Sequence, residues 1–295
     1  MIDYMAILES TARSAEYNYS IKPGGYVIDG LLHCQNCKMP KQCRVKFTDG
    51  IEKIVYCLCA CGMEAEQKRE QREAEQRDQC RIARLKAKGI QDREICNWTF
   101  ANDDRRNPPM SDKAMRYYAK WRQMHEQNIG LLLWGNVGAG KSYFAACVAN
   151  GLIDNGVPVL MTNFTRIVNA MTGFENKEKN VYIDSFNDYK LLVIDDLGAE
   201  RQTDFAQEIV YQTIDGRYKN GQPVVITTNL SLDEIKNPQN ITCRRIYDRI
   251  LEMCVPIEFK GESRRRAIYA NKIKQARALF EADEAISSTA KGMGA

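Results

Sequence analysis

The chain has 295 residues, of which 44% are hydrophobic and 27% are charged, and its formal net charge is +4. These values are typical of a globular protein with one large α/β domain and a smaller unit, and no apolar run approaches the roughly 20 residues that span a bilayer. We therefore expect no membrane association, whereas the modest net charge leaves a nucleic-acid partner open.

The amino-terminal stretch MIDYMAILESTARSAEY lacks the basic start and the long apolar core of a signal peptide. We therefore expect a cytoplasmic protein, in which thiols stay reduced. In a reduced protein, eleven cysteines are more typical of metal ligands and buried thiols than of disulfides.

Six of the eleven cysteines lie between residues 34 and 61. Cys34 and Cys37 form a C-x-x-C pair, and Cys59 and Cys61 form a C-x-C pair further along. Two such pairs can bind one tetrahedral Zn²⁺ as four thiolates, so we predict a structural zinc site formed by these cysteines.

Three neighbouring residues are alternative zinc ligands, since Cys43, Cys57 or His33 can replace one of the four thiolates. Redox chemistry at the C-x-x-C pair and unliganded thiols are further alternatives. A thioredoxin-like motif is disfavoured because no βαβ pattern surrounds the pair. We predict a small cysteine-rich zinc-binding domain over residues 1–62.

Residues 63–97 begin with a run rich in Glu, Gln, Arg and Lys, and they contain no Pro and no Gly before Gly89. This composition predicts an exposed helix. Because few apolar residues precede Ile82 and Leu85, the run lacks a coiled-coil seam, and we predict a charged helical linker between two domains.

From Gly130 onward, short apolar runs alternate with segments long enough for helices. The runs are GLLLWG, VPVLM, KLLVIDD, PVVITTN and VPIEF. This alternation predicts an α/β domain whose parallel sheet is covered on both faces. We assign it residues 98–275, followed by a tail over 276–295.

A complete G-x-x-x-x-G-K-[ST] motif follows the strand-like LLLW and precedes the helix-like SYFAACVANGLI. In such a P-loop the backbone N–H groups surround the phosphates of ATP, the lysine contacts the β- and γ-phosphates, and the hydroxyl residue binds Mg²⁺. The predicted nucleotide-binding residues are Gly135, Asn136, Val137, Gly138, Ala139, Gly140, Lys141 and Ser142.

Polar residues end two later strands of the predicted sheet, KLLVIDD and PVVITTN. We assign Asp195 to Mg²⁺ and Asp196 to the attacking water, and Asn229 to the γ-phosphate or the same water. The alternative is that Asp and Asn here only begin turns.

Two arginine-rich stretches, CRRIYDRIL and GESRRR, come last. Phosphoryl transfer needs positive charge on the γ-phosphate, so one cluster is predicted to act within the subunit and the other on a neighbour's nucleotide. The first cluster contains Arg244, Arg245 and Arg249. Solvated faces or DNA contacts are the alternatives.

Residues 98–274 resemble the AAA+ ATPases of the DnaC/DnaI bacterial helicase-loader family, including its phage-encoded members. The motifs that carry the resemblance are GNVGAGKSYFAACVAN, LLVIDDLGAE, VVITTNL, RRIYDRI and GESRRR, in that order. The resemblance implies a five-stranded AAA+ core in which the strand before Asn229 lies between the P-loop strand and the acidic strand. It also implies that Arg249 is an arginine finger for a neighbour's ATP and that Arg265, or the adjacent Arg264, is the second sensor.

The same resemblance implies a loader acting in DNA replication. Such a protein binds a replicative helicase and single-stranded DNA, hydrolyses ATP with Mg²⁺ and forms a homo-oligomer in the ATP state. Lys177 and Lys179 stand where initiator-like AAA+ proteins contact single-stranded DNA, although a solvated turn is an equal alternative. DnaI-type loaders are similar in carrying an amino-terminal zinc-binding domain that docks on the helicase.

Three other functions compete with a loader. An IstB-like helper of DNA transposition shares the motor motifs, but such proteins usually lack a zinc module. A zinc-based DNA-binding adaptor that uses ATP only as a switch is disfavoured by the intact Lys141, Asp195 and Asp196. A small-molecule kinase is disfavoured because it needs neither Asn229 nor an arginine from a neighbour.

Overall fold

The computed structural model describes residues 25–48, 50–200, 203–261 and 269–277, together with residues 263, 266 and 280. The chain divides into two compact units, Met1–Arg77 and Asp78–Ala295. In the part of the chain that is described, no helix is both long enough and apolar enough to cross a membrane.

The first unit contains two antiparallel hairpins. Their strands are β1 (Gly25–Ile28) with β2 (Leu31–Cys34), and β3 (Gln42–Lys46) with β4 (Glu52–Tyr56). The first hairpin turns at Asp29 and Gly30, whose φ angles of 51° and 77° are typical of a two-residue turn. The Lys41 N–H donates to the Leu32 carbonyl at 2.7 Å and joins the two hairpins.

A 30-residue helix, α1 (Ala60–Gly89), begins in the first unit and ends in the second. Glu64 and Lys68 form one of its exposed ion pairs, with N and O atoms 2.6 Å apart. Near its carboxyl end, Ile82 and Leu85 pack against the core of the second unit. The helix thus includes most of the predicted linker, whose boundaries remain predictions.

The second unit is built on a five-stranded parallel sheet with the order β6-β7-β8-β5-β9. Its strands are β5 (Gly130–Gly135), β6 (Val159–Thr162), β7 (Leu191–Leu197), β8 (Val224–Thr228) and β9 (Cys254–Phe259). Strand β8, which precedes Asn229, lies between the P-loop strand and the acidic strand, so the predicted AAA+ strand order is confirmed.

Helices cover both faces of this sheet. Alternate residues of the same strand belong to different buried clusters: Leu132 contributes to one, and its neighbours Leu131 and Leu133 contribute to the other. The predicted doubly covered sheet is therefore confirmed. The described helices include α2 (Pro108–Ala119), α3 (Trp121–Glu126), α4 (Lys141–Asp154), α5 (Phe164–Met171), α6 (Asn176–Ser185), α7 (Asp204–Lys219), α8 (Leu232–Lys236) and α9 (Ile241–Met253).

Candidate functional site

The predicted P-loop connects β5 to α4 at the carboxyl edge of the sheet. Gly135, Gly138 and Gly140 have φ angles of 122°, 78° and 99°, which residues with a Cβ rarely adopt. A Cβ on Gly138 would lie 2.2 Å from the Ser263 Oγ, so the segment after β9 packs directly on the loop. The glycines of the motif are thus required by backbone conformation and by close packing.

Lys141 begins α4, and its side chain turns back into the P-loop. Its Nζ donates to the carbonyl oxygens of Gly135 and Asn136 and to Oδ1 of Asn229, each at 2.8 Å. The residue is only 6% exposed. The ammonium group is therefore held inside the loop that is predicted to bind phosphates.

Asn229 connects Lys141 to the acidic strand. Its Nδ2 donates to Oδ1 of Asp196 at 2.7 Å. Because an ammonium group can only donate, the amide oxygen of Asn229 must face Lys141 and the amide nitrogen must face Asp196. Three residues predicted from separate motifs thus form one hydrogen-bonded chain.

Strand β7 carries a bulge at its two aspartates. Ile194 pairs with Ile226 and Leu197 pairs with Thr228, so Asp195 and Asp196 both lie opposite Thr227. Asp196 has a left-handed backbone with a φ of 61°. The Thr227 Oγ1 accepts the Asp196 N–H at 2.8 Å and donates to Oδ1 of Asp195 at 2.6 Å.

Thr227 was not among the predicted site residues. Its only sequence signal is a hydroxyl residue near the end of the strand that neighbours the acidic pair, and hydroxyl residues are common in strands. Ser142, the second residue of α4, and Asp195 offer hydroxyl and carboxylate oxygens, the donors that Mg²⁺ prefers. The residues at this edge thus fit the metal that a P-loop nucleotide carries.

Arg249 lies on α9 and faces α7. Its guanidinium group is 2.7 Å from Oδ1 of Asp215 and stacks over the Tyr211 ring, with 4.8 Å from Cζ to the ring centroid. Its side chain is 25% exposed. The structure thus places this predicted finger in an ion pair within its own protomer.

The other predicted cationic residues differ in exposure. Arg244 and Arg245 are exposed on α9, whereas Arg264 and Arg265 lie outside the described residues. On α6, Lys177 is exposed, and the Lys179 Nζ lies 5.0 Å from the Phe205 ring centroid.

The predicted zinc ligands come together in the first unit. The thiol groups of Cys34, Cys37 and Cys59 all lie within 4.8 Å of one another. The Cys61 thiol lies outside this set of three but hydrogen-bonds to Cys37, and this bond first, then burial, raises the pKa of Cys61 to about 11. Three grouped thiols, with Cys61 hydrogen-bonded to one of them as the fourth, are the kind of donor set that a tetrahedral structural zinc site uses, so these residues fit Zn²⁺.

Backbone N–H groups point at the sulfur atoms of this cysteine cluster. Donation from the N–H groups of Cys37 and Asn36 lowers the pKa of the Cys34 thiol. Donation from the Cys61 N–H, and then from that of Met39, lowers the pKa of the Cys37 thiol to about 6. Such bonds favour thiolates, the form in which cysteine binds metals.

The alternative zinc ligands have other partners. Burial first, and then the neighbouring Cys43, raise the pKa of the Cys57 thiol, which donates to the Pro40 carbonyl at 3.5 Å. The His33 ring stacks on Tyr26, with ring centroids 5.8 Å apart. Among the described residues, the thiols that lie within 4.8 Å of one another are those of Cys34, Cys37 and Cys59, and Cys43, Cys57 and His33 are not part of this set; Cys61 is linked to it only by its hydrogen bond to Cys37.

The sequence range that contains this site matches a known protein family. The family described as "IstB-like ATP binding protein" matches residues 55–271, which is well over half of the chain. The chain belongs to the IstB-like ATP-binding proteins. The P-loop, both aspartates, Asn229 and Arg249 all lie within the matched range of this IstB-like protein.

Two relatives of this IstB-like protein are named as helicase loaders. The replicative helicase loader DnaI of Bacillus subtilis (strain 168) is 28% identical over 150 residues, which cover 46% of this chain and 47% of DnaI. The replicative helicase loader DnaC of Escherichia coli (strain K12) is 28% identical over 143 residues, which cover 46% of this chain and 57% of DnaC. The chain thus spans about half the length of these relatives.

A solved structure is also similar. The crystal structure of DnaI covers 60% of this chain and 95% of its own, with 24% sequence identity and a TM-score of 0.49.

Proposed function

We propose that this IstB-like protein hydrolyses ATP and uses the nucleotide cycle to load a replicative helicase onto single-stranded DNA. The observation that carries the proposal is the hydrogen-bonded chain from Lys141 through Asn229 to Asp196. It joins the residue that meets the γ-phosphate to the carboxylate that faces the attacking water. A site built in this way can register whether the γ-phosphate is present.

Each member of the chain has a separate task in hydrolysis. The γ-phosphate competes with the Gly135 and Asn136 carbonyls for the Lys141 ammonium group, which then stabilises the transferring phosphoryl group. Asp196 orients the attacking water and accepts its proton. Asn229 changes partners when Lys141 moves, so the nucleotide state alters the hydrogen bonds at the end of β8.

Mg²⁺ would be held by Ser142 and Asp195 and would neutralise charge on the β- and γ-phosphates. We assign the finger role to Arg249, which must leave its ion pair with Asp215 to reach the ATP of a neighbouring protomer, and the second sensor to Arg265. This division requires a homo-oligomer in the ATP state. ATP binding between neighbouring protomers thereby stabilises their assembly on the helicase.

The names of the two relatives support the helicase as partner. In our proposal, Zn²⁺ held by Cys34, Cys37, Cys59 and Cys61 stabilises the first unit, which supplies the helicase contact. The IstB-like family match favours a second candidate, an ATP-dependent helper of DNA transposition. The cysteine cluster lies in a separate compact unit, which we propose as the docking unit, and it therefore favours the loader.

The test is co-purification of the full chain with the replicative helicase of the same cell, with and without ATP, alongside measurement of ATP turnover. We expect the wild type to bind the helicase and to hydrolyse ATP. The double variant Cys34→Ser, Cys37→Ser should lose helicase binding and keep ATP turnover. Lys141→Ala should lose turnover, because the transferring phosphate loses its main cation.

Cys43→Ser is the matched control, since it removes a nearby thiol that lies outside the cluster. It should retain both activities. ATP turnover without helicase binding under any nucleotide condition would remove the loader and leave an ATPase. Helicase binding without turnover, with single-stranded DNA present, would leave an adaptor that uses ATP only as a switch.

A further inference from the structure

The bulge in β7 creates a local problem for the backbone. Two residues, Asp195 and Asp196, lie opposite Thr227 alone, so regular ladder pairing is interrupted where the acidic residues lie. A backbone N–H group that leaves the strand ladder needs another partner, and a left-handed aspartate is unfavourable as well. The arrangement therefore persists only if neighbouring groups hold it.

The Thr227 side chain supplies the hydrogen-bond acceptor that the interrupted ladder does not give to the Asp196 N–H. It is 1% exposed, and its hydroxyl oxygen accepts the Asp196 N–H at 2.8 Å. Because a carboxylate can only accept, the single hydroxyl hydrogen points to Oδ1 of Asp195, 2.6 Å away. One buried hydroxyl group thus contacts the backbone of one aspartate and the carboxylate of the other.

We infer that Thr227 is a positioning residue for ATP hydrolysis, which sets the Asp195 carboxylate toward Mg²⁺ and holds Asp196 in its left-handed conformation toward the attacking water. The inference rests on the proposed ATPase function. It extends that function, because it makes the geometry of the two carboxylates depend on a side chain from the neighbouring strand.

Thr228 provides a natural comparison within the same strand. It is also fully buried, and its Oγ1 donates to the Leu197 carbonyl at 2.8 Å and accepts the Leu230 N–H at 3.1 Å. It hydrogen-bonds to backbone groups beside the same bulge and contacts neither carboxylate. Thr227→Val and Thr228→Val therefore remove the same chemical group from adjacent positions, and only the first removes the contacts to the aspartates.

The experiment measures kcat and KM for ATP, and the affinity for a fluorescent ATP analogue in buffers with and without Mg²⁺. For Thr227→Val we expect kcat to fall about 10- to 100-fold, the usual effect of losing a partner of a metal ligand, with a smaller change in KM. The gain in nucleotide affinity that Mg²⁺ provides should also shrink. Thr227→Ser keeps the hydroxyl and should restore both, and Thr228→Val should stay close to the wild type.

Wild-type values for Thr227→Val in both measurements would overturn the inference, as would equal losses in the two valine variants. If Thr227→Val does not fold, Thr227→Cys against Thr227→Ser makes the same comparison, because a thiol is a weak donor and acceptor. A wild type that binds but does not hydrolyse ATP contradicts the proposed function. In that case the Mg²⁺ effect on binding still decides the role of Thr227.

Discussion

Arg217 on α7 is a charged residue that lies in the core. It is 1% exposed, and its guanidinium group donates to the carbonyl oxygens of Phe186, Tyr189 and Pro223 at 3.1, 2.8 and 2.8 Å. Burial lowers its pKa to about 10, so it remains charged at neutral pH. These carbonyls lie just ahead of β7 and β8, and one side chain thus links α7 to the strand that carries the acidic residues and to the strand that precedes Asn229.

Replacing Arg217 by Met keeps much of the buried volume and removes every donor. Since several buried carbonyl groups then lack partners, we expect Arg217→Met to lower the free energy of unfolding by about 3 kcal/mol. Denaturant unfolding measures the change. Arg116→Met on the exposed surface of α2 is the control and should have little effect. Equal stabilities of the two variants would contradict the structural role of Arg217.

At the scale of secondary-structure elements, the end of α1 is held against the edge strand of the sheet. Gly89 is buried, and a Cβ placed on it would lie 2.0 Å from the Val159 carbonyl oxygen in β6. The next residue, Ile90, forms a parallel bridge with Met161. Gly89 is therefore required by close packing and does not only mark the end of the helix.

Two glycine substitutions with opposite expected signs test this packing. Gly89→Ala forces a methyl group onto a backbone carbonyl that cannot move easily, so it should destabilise the protein by about 2 kcal/mol. Gly216 lies inside α7 with open space around its Cα. Gly216→Ala should therefore stabilise the protein by about 1 kcal/mol through helix propensity. Thermal and urea unfolding measure both, and changes of the same sign would contradict the argument.

The parts of this architecture that short local motifs encode could be predicted from the sequence. The P-loop, the apolar strands and the C-x-x-C pair each depend on short spacings, and the structure brings Lys141, Asn229 and Asp196 together as strand order requires. The β7 bulge and the role of Thr227 depend on the register between two strands, which no short pattern encodes. The same limit applies to the pairing of Arg249 with Asp215, which lie on different helices.

At the scale of the whole molecule, the two compact units are stabilised in different ways. The second unit buries a parallel sheet between two apolar clusters. In the residues described from position 25 onward, the first unit has two short hairpins, and several large apolar side chains on them are exposed, among them Val27, Phe47 and Ile54. Since these described hairpins bury little apolar surface and small folds of this kind use a metal or a similar cross-link, the stability of the first unit should depend on the cysteine cluster.

Each unit should therefore respond to its own ligand in a thermal unfolding experiment on the full chain. A ligand that binds only the folded state stabilises it by about 2.7 kcal/mol at a concentration 100 times Kd, so ATP with Mg²⁺ should raise only the unfolding temperature of the second unit.

Purified protein should contain about one zinc ion per chain, and a chelator should lower only the unfolding temperature of the first unit. The double variant Cys34→Ser, Cys37→Ser should lack zinc and lose that transition without a chelator, whereas Cys43→Ser should behave as the wild type. The opposite result would be a single unfolding transition that both zinc removal and ATP shift. It would show that the cysteine cluster stabilises the ATPase unit directly, and it would contradict the independent unfolding of the two units.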